Sequence, residues 1–282
     1  MTTKFYQSSN VCIILTGASR GFGQSLANIF ASHYRNQFSS NRMDDGNLQF
    51  LLISRDRTKL EHVSNSLKSI DPDHINVHCI EADLSKSGSI SSIEECCKQM
   101  KIFERSDSTR KHYILIHNAG SLGETNRWCK AINVEQAKER DDYYRLNLYS
   151  VMELTGIFIR QTESMLSTMI SRHIINISSL AAIQPFNGLI DYCVGKSARE
   201  AYFRQLSHEL SQDLPNKSIH ILNYAPGPLK TEMFSELQTN SLISDQFGAV
   251  IPLSPEESGE KLFKILCKNK YDNGSHVDYY DV

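Results

Sequence analysis

Residues 11–23 read VCIILTGASRGFG: an unbroken apolar run, then a turn carrying Gly17, Gly21 and Gly23. A strand with one wet face would alternate apolar and polar residues, so a continuous run implies burial on both faces. Glycines permit a tight turn with positive φ and let the backbone approach a pyrophosphate closely. A helix starting at Gly21 would then present unpaired N–H groups and the positive end of its dipole to that anion. The spacing is GxxxGxG, not the GxGxxG of the general dinucleotide fingerprint. An ordinary glycine-rich βα turn reads the same in isolation. Its place between an apolar strand and an amphipathic helix is what points to a phosphate cradle.

The pattern continues along the chain. Further apolar runs fall at residues 50–53, 75–80, 113–116, 174–177 and 219–222. They alternate with segments of helical length at 21–34, 56–69, 89–103, 141–163 and 191–213. Strand–helix alternation of this kind predicts an α/β fold, a doubly wound parallel sheet with right-handed crossovers. No linker interrupts it and no repeat is visible, so residues 1–282 read as a single domain. Two polar stretches, 39–47 and 104–112, read as surface insertions, and 240–255 reads as a loop or a short helix over a ligand site.

The 282 residues are 40% hydrophobic, 22% charged and 9% aromatic, which excludes a disordered or collagen-like chain. Thirty Lys+Arg against 32 Asp+Glu leave a formal charge of −2, so no global field recruits nucleic acid or an acidic membrane. The apolar runs fall far short of the ~20 residues that span a bilayer. The opening MTTKFYQSSN lacks the apolar stretch of a signal peptide. Seven cysteines without a CxxC pair suit a reduced, cytoplasmic compartment. The ten histidines are dispersed and form no HExxH, so no metal site is expected.

The tip of the second strand bears on the cofactor. An acid there would hydrogen-bond the ribose 2′-hydroxyl of NAD, whereas this strand ends in Ser54-Arg55. The Arg55 guanidinium can clamp a 2′-phosphate, and Arg20 in the glycine turn could reach the same group. Asp56 is the counter-evidence, although a helix N-cap also belongs at that position. NADP is therefore the expected cofactor.

Downstream, Tyr192 and Lys196 stand four apart at the start of a helix and share one face. A phenol ionises near ~10 and is a poor base at neutral pH. A nearby ammonium, with the positive nicotinamide ring of the oxidised cofactor, is expected to lower that value. Such a tyrosine can give a proton to a carbonyl oxygen as hydride reaches its carbon. YxxxK alone is usually a surface pair. Here Ser179, at the end of IINIS, could polarise the same oxygen. Ser178 is expected on the other face of that strand.

Together TGASRGFG, His117-Asn118-Ala119-Gly120, Asn147, the Ser179–Tyr192–Lys196 set and Pro226-Gly227 resemble the short-chain dehydrogenase/reductase superfamily over nearly the whole chain. The resemblance implies a Rossmann-type domain of about seven strands. It implies that Tyr192 donates the proton, that Lys196 binds the nicotinamide ribose and tunes Tyr192, and that Asn147 anchors a relay water. Around the cofactor it implies Gly17, Ser19, Arg20, Gly21, Phe22, Gly23, Arg55, Asp56, Asn118, Ala119 and Gly120. Asp83 and Leu84 would border the adenine, and Gly227, Leu229, Thr231 and Met233 the nicotinamide end. His117 departs from the family's frequent Asn. The helices at 141–163 and 191–213 would form the interface of a homodimer.

Longer stretches narrow the resemblance to the branch that reduces carbonyls on the side chain of a pterin: NISSL at 176–180, QPF at 184–186, NYAPGP at 223–228 and GSHVDYYD at 274–281. A pterin carries a 2-amino group and a ring N–H side by side. One carboxylate accepts both, fixing the ring and aiming its side chain. The resemblance gives that anchor to Asp278, with Asp281 as the fallback, and adds Ser179, Leu180 and Tyr192 to the substrate site. Leu189 and Ile190 are expected to shape the pocket wall. A reductase of other small carbonyls (dicarbonyls, quinones, steroids) and a non-catalytic cofactor sensor are the alternatives.

Overall fold

The structure, a computed structural model, describes residues 10–40, 46–100, 102–103, 111–125, 130, 132–163, 170–213, 219–239 and 243–281. Seven strands are present among them: β1 (Asn10–Thr16), β2 (Asn47–Ser54), β3 (Ile75–Glu81), β4 (Lys111–His117), β5 (Ile170–Ile177), β6 (Ile219–Ala225) and β7 (His276–Asp278). All neighbours pair in parallel, in the order β3-β2-β1-β4-β5-β6-β7. The connecting helices are α1 (Gly21–Ser40), α2 (Arg57–Ile70), α3 (Ser89–Gln99), α4 (Ala137–Tyr144), α5 (Ser150–Glu163), α6 (Ile190–Asp213), α7 (Glu232–Thr239), α8 (Ser244–Phe247) and α9 (Pro255–Lys268). This is the doubly wound Rossmann-type sheet expected from the strand–helix alternation.

The unbroken apolar strands have the cause inferred from the sequence. Along β1, Ile13 and Leu15 face a core shared with Leu26 and Phe30 of α1 and Leu262 of α9. Cys12 and Ile14 face the opposite core, shared with Ile93 of α3, Phe158 of α5 and Phe203 of α6. Each face of the sheet is dry, so neither position of the alternation can be polar. Helix starts follow local chemistry. Asp56 caps α2 by accepting from Lys59 N at 2.9 Å, and Ser254 caps α9 by accepting from Glu257 N at 3.0 Å, with Pro255 behind it.

Several boundaries differ from expectation. α1 runs on past residue 34 to Ser40, and α3 ends at Gln99, short of residue 103. The segment expected as one helix over 141–163 begins at Ala137 and is interrupted by a π turn at Arg145–Tyr149, where Ser150 N–H reaches back five residues to Arg145 O. Within 240–255, the described residues 243–255 include the short helix α8. The polar stretches lie mostly outside the described residues, at 41–45 and 104–110; their ends join α1, β2 and β4. No helix among the described residues is long and apolar enough to cross a membrane.

Candidate active site

In an open parallel sheet, ligands bind beyond the carboxyl ends of the strands where the chain order reverses, here between β1 and β4. A cleft of about 490 Å³ opens there. Thr16 at the end of β1 leads into Gly17, whose φ is +66°. A Cβ on Gly23 would lie 2.2 Å from Gly17 O, so the closed turn requires glycine there. Asn118, after β4, donates through Nδ2 to Thr16 O (3.2 Å) and Gly17 O (3.0 Å), bracing the turn. Gly17, Ser19, Arg20, Gly21, Phe22, Asn118, Ala119 and Gly120 all line the cleft. Gly23 does not; its part is to let the turn close.

The tip of β2 sorts the polar candidates. Arg55 lines the cleft with an exposed side chain, and Ser54 Oγ bonds Ser19 Oγ at 2.8 Å. Arg20 lines the cleft too, paired with Glu232 of α7 across its mouth. Asp56 does not line it: its carboxylate is the α2 cap, and the Lys59 backbone bond holds its pKa below the ordinary value. Asp83 does not line the cleft either. Burial raises its pKa, but bonds from Ser85 N (3.0 Å) and Ser85 Oγ (2.7 Å), with the Arg55 cation, leave it lowered, and the side chain is turned to that local turn. Leu84 lines the cleft.

Further along, Ser179, Leu180, Tyr192 and Lys196 share the cleft, with Gly227, Leu229, Thr231 and Met233 opposite. Lys196 Nζ donates to Ile177 O at 2.8 Å and sits 5.5 Å from the centre of the Tyr192 ring. Burial and neighbouring groups act on both members of the Tyr192–Lys196 pair. Burial pushes the phenol above its usual pKa, opposed by a hydrogen bond with Ser179 and by the Arg199 cation. Lys196 is itself driven well below the ordinary amine value by burial and by Arg199. The groups that favour phenolate here are the Ser179 hydrogen bond first and the Arg199 cation second.

Asn147 stands behind the cleft wall. It is buried in the π turn and does not line the cleft. Its Oδ1 accepts from Ser121 N (3.0 Å) and its Nδ2 donates to Tyr143 O (3.0 Å), so its amide joins the π turn to the segment after β4. His117, fully buried, bonds Thr155 Oγ1 at 2.8 Å. Asp278 ends β7 and lines the cleft; its Oδ1 accepts from Tyr280 N at 2.9 Å. Asp281 is exposed and lies off the cleft. Much of the remaining wall is apolar, with Leu122, Phe186, Leu189, Phe234, Phe247 and Val250 beside the polar Ser121 and Gln246. Leu189 joins this wall as expected; Ile190 is half exposed and does not.

Sequence reasoning passed over two groups. Arg199 is fully buried, donating to His117 O (2.8 Å) and Ala119 O (3.2 Å). Glu200 is buried beside it, bonded to Ser178 Oγ and to His276 Nδ1. The only available signal was spacing: 199 and 200 fall on the Lys196 face, one turn on. Among the described residues no group of three or more His, Cys, Asp or Glu is gathered as a metal site.

Comparison with known proteins bears on the family and the fold. The chain is 30% identical to a sepiapterin reductase of Xenopus tropicalis over 286 residues, covering 96% of this chain and 97% of that protein. It is 31% identical to a sepiapterin reductase of Rattus norvegicus over 279 residues, with 96% and 97% covered. The fold is similar to a 3-ketoacyl-(acyl-carrier-protein) reductase from Brucella melitensis, with a TM-score of 0.71 at 23% identity, over 96% of this chain and 97% of that one. The short chain dehydrogenase model matches residues 11–242. This chain belongs to the short-chain dehydrogenase family of oxidoreductases.

Proposed function

We propose that the protein, as one domain of residues 1–282, is an NADPH-dependent reductase of the ketones on pterin side chains. The observation that carries the reading is the arrangement of one cleft: a glycine turn and Arg55 at one end, Ser179, Tyr192 and Lys196 in the middle, and the carboxylate of Asp278 at the other. The relatives named sepiapterin reductase, matched over nearly the full length, support the same assignment.

The turn fits a dinucleotide. A Cβ at 17 or 23 would collide with Ala119, Asn118 or Gly17 O, so glycine lets the turn close beneath a pyrophosphate, and the two guanidiniums, Arg20 and Arg55, suit a 2′-phosphate. When bound, the nicotinamide supplies hydride to the carbonyl carbon. The chain's own residues supply the rest. Ser179 donates a hydrogen bond to the substrate oxygen and polarises the carbonyl. The high pKa that burial gives Tyr192 keeps the phenol protonated at neutral pH, as a proton donor requires. The apolar wall excludes water and strengthens these polar contacts. Asp278 holds the ring and aims the ketone at Tyr192.

The test is NADPH consumption with sepiapterin, run beside NADH and a simple diketone. Sepiapterin should be reduced faster than the diketone, and NADPH should be used in preference to NADH. Asp278→Ala should abolish pterin turnover and leave diketone turnover largely intact. Equal loss for both substrates would overturn the anchor and favour a general reductase of small carbonyls. NADPH binding with no turnover of any carbonyl would favour a sensor.

A further inference from the structure

β7 is only three residues long, yet it carries Asp278 at its end. So short a strand holds its last residue weakly through backbone pairing with β6 alone. Side chains hold it on both sides. On the outer side, Lys261 of α9 donates to Tyr279 O at 2.6 Å and lies 4.3 Å from the Tyr279 ring centre, and Tyr279 Oη donates to Glu257 Oε1 at 2.8 Å. On the inner side, His276 Nδ1 bonds Glu200 Oε1 at 2.7 Å, and Ser178 Oγ donates to the same oxygen. The His276 and Glu200 side chains are 16% and 5% exposed, so water scarcely competes for this contact.

Glu200 lies one helical turn beyond Lys196 and two beyond Tyr192 on α6. Ser178 immediately precedes Ser179. One carboxylate oxygen thus joins the helix of the proton donor, the strand end that polarises the carbonyl, and the strand that bears the carboxylate at the far end of the cleft. We propose that Glu200 and His276 are positioning residues that fix Asp278 relative to Ser179 and Tyr192, and so set where a pterin side chain meets the proton donor. The proposal rests on the reading of Asp278 as the substrate anchor. Its energetic logic is that a substrate held at one end transmits an anchor displacement to the reacting carbon, and a misplacement near 1 Å is costly.

Glu200 also faces Lys196, whose ammonium its charge favours, so replacing it would mix two effects. His276 carries the cleaner test. His276→Leu removes the bond to Glu200; His276→Asn keeps an N–H donor near the place of Nδ1. Each is measured for KM and kcat with sepiapterin and with a simple diketone, and for hydrogen–deuterium exchange in the peptide spanning 274–281. His276→Leu is expected to raise the sepiapterin KM about tenfold or more, to change diketone turnover less than about threefold, and to speed exchange in that peptide. His276→Asn is expected to restore most of the loss. Equal loss on both substrates, or unchanged exchange with unchanged KM, overturns the proposal. Asp278→Ala, run alongside, separates the two possible failures. If it leaves the sepiapterin KM unmoved, the anchor reading falls and the proposal with it. If it raises KM while His276→Leu does nothing, the tie alone falls.

Discussion

At the residue scale, Arg55 poses the sharpest question. Its side chain is exposed at the rim of the cleft, and its charge is felt by Asp83. On the proposed reading, this guanidinium makes charge-assisted bonds to the 2′-phosphate of NADPH. Bonds to charged groups contribute about 1.5–3 kcal/mol each. Arg55→Ala should therefore raise the KM for NADPH by about ten- to a hundredfold and leave the KM for NADH within about twofold. Steady-state kinetics with both cofactors check this, and equal changes for the two would sink the assignment. Arg20, held by Glu232 across the cleft mouth, is expected to matter less because that ion pair must open first.

At the element scale, what the sequence disclosed follows from burial. β1 and β4 were legible because each faces a dry core on both sides, which leaves no polar position to blur the run. β7 was not placed from the sequence, because three residues of mixed polarity carry no period; the resemblance implied only that a seventh strand exists. The π turn at Arg145–Tyr149 was hidden too, since the bond that ties it to the rest of the fold, from Ser121 N to Asn147 Oδ1, comes from a segment 26 residues away that no local pattern announces. Arg199 and Glu200 were missed for a related reason. Charged side chains on a helix ordinarily face water, so composition assigns them to the surface. The same elements carry a prediction. Tyr149 beside α5, Met152 on it, and Ile190 and Val194 on α6 are large apolar side chains left 39% or more exposed. Two helices that each bury one face in the sheet and show apolar groups outward suit an isologous dimer. Met152→Asp with Val194→Asp should convert a species of twice the monomer mass into monomer by light scattering. A wild-type chain that is already monomeric would reject the dimer.

At the scale of the whole molecule, acid stability is set by histidines within the fold. His117 and His173 are buried, and burial drives both well below the ordinary imidazole pKa, so the folded protein holds them neutral. The nearby Arg199 cation adds to this for His117, as His220 and His112 do for His173. An unfolded chain protonates histidine near pH ~6.5. Below that pH the unfolded state takes up protons that the folded state refuses. Their contribution to stability is thus complete above pH ~6.5 and lost as the pH falls, by up to about 1.4 kcal/mol per pH unit for each histidine. His276 runs the other way. Its bond to Glu200 raises its pKa, so its contribution is complete below pH ~6.5 and is lost as the pH rises through the raised value. Two fully buried neutral rings outweigh one ring on the opposite slope. The melting temperature should fall steadily from pH 7 to pH 5, before lowered carboxylates such as Asp83 begin to titrate. His173→Phe should flatten that fall, because a ring of similar size without a basic nitrogen leaves one proton fewer to be taken up on unfolding. Calorimetry at pH 5, 6, 7 and 8 reads both curves, and a wild-type melting temperature that is flat between pH 7 and 5 would refute the assignment of these rings as neutral.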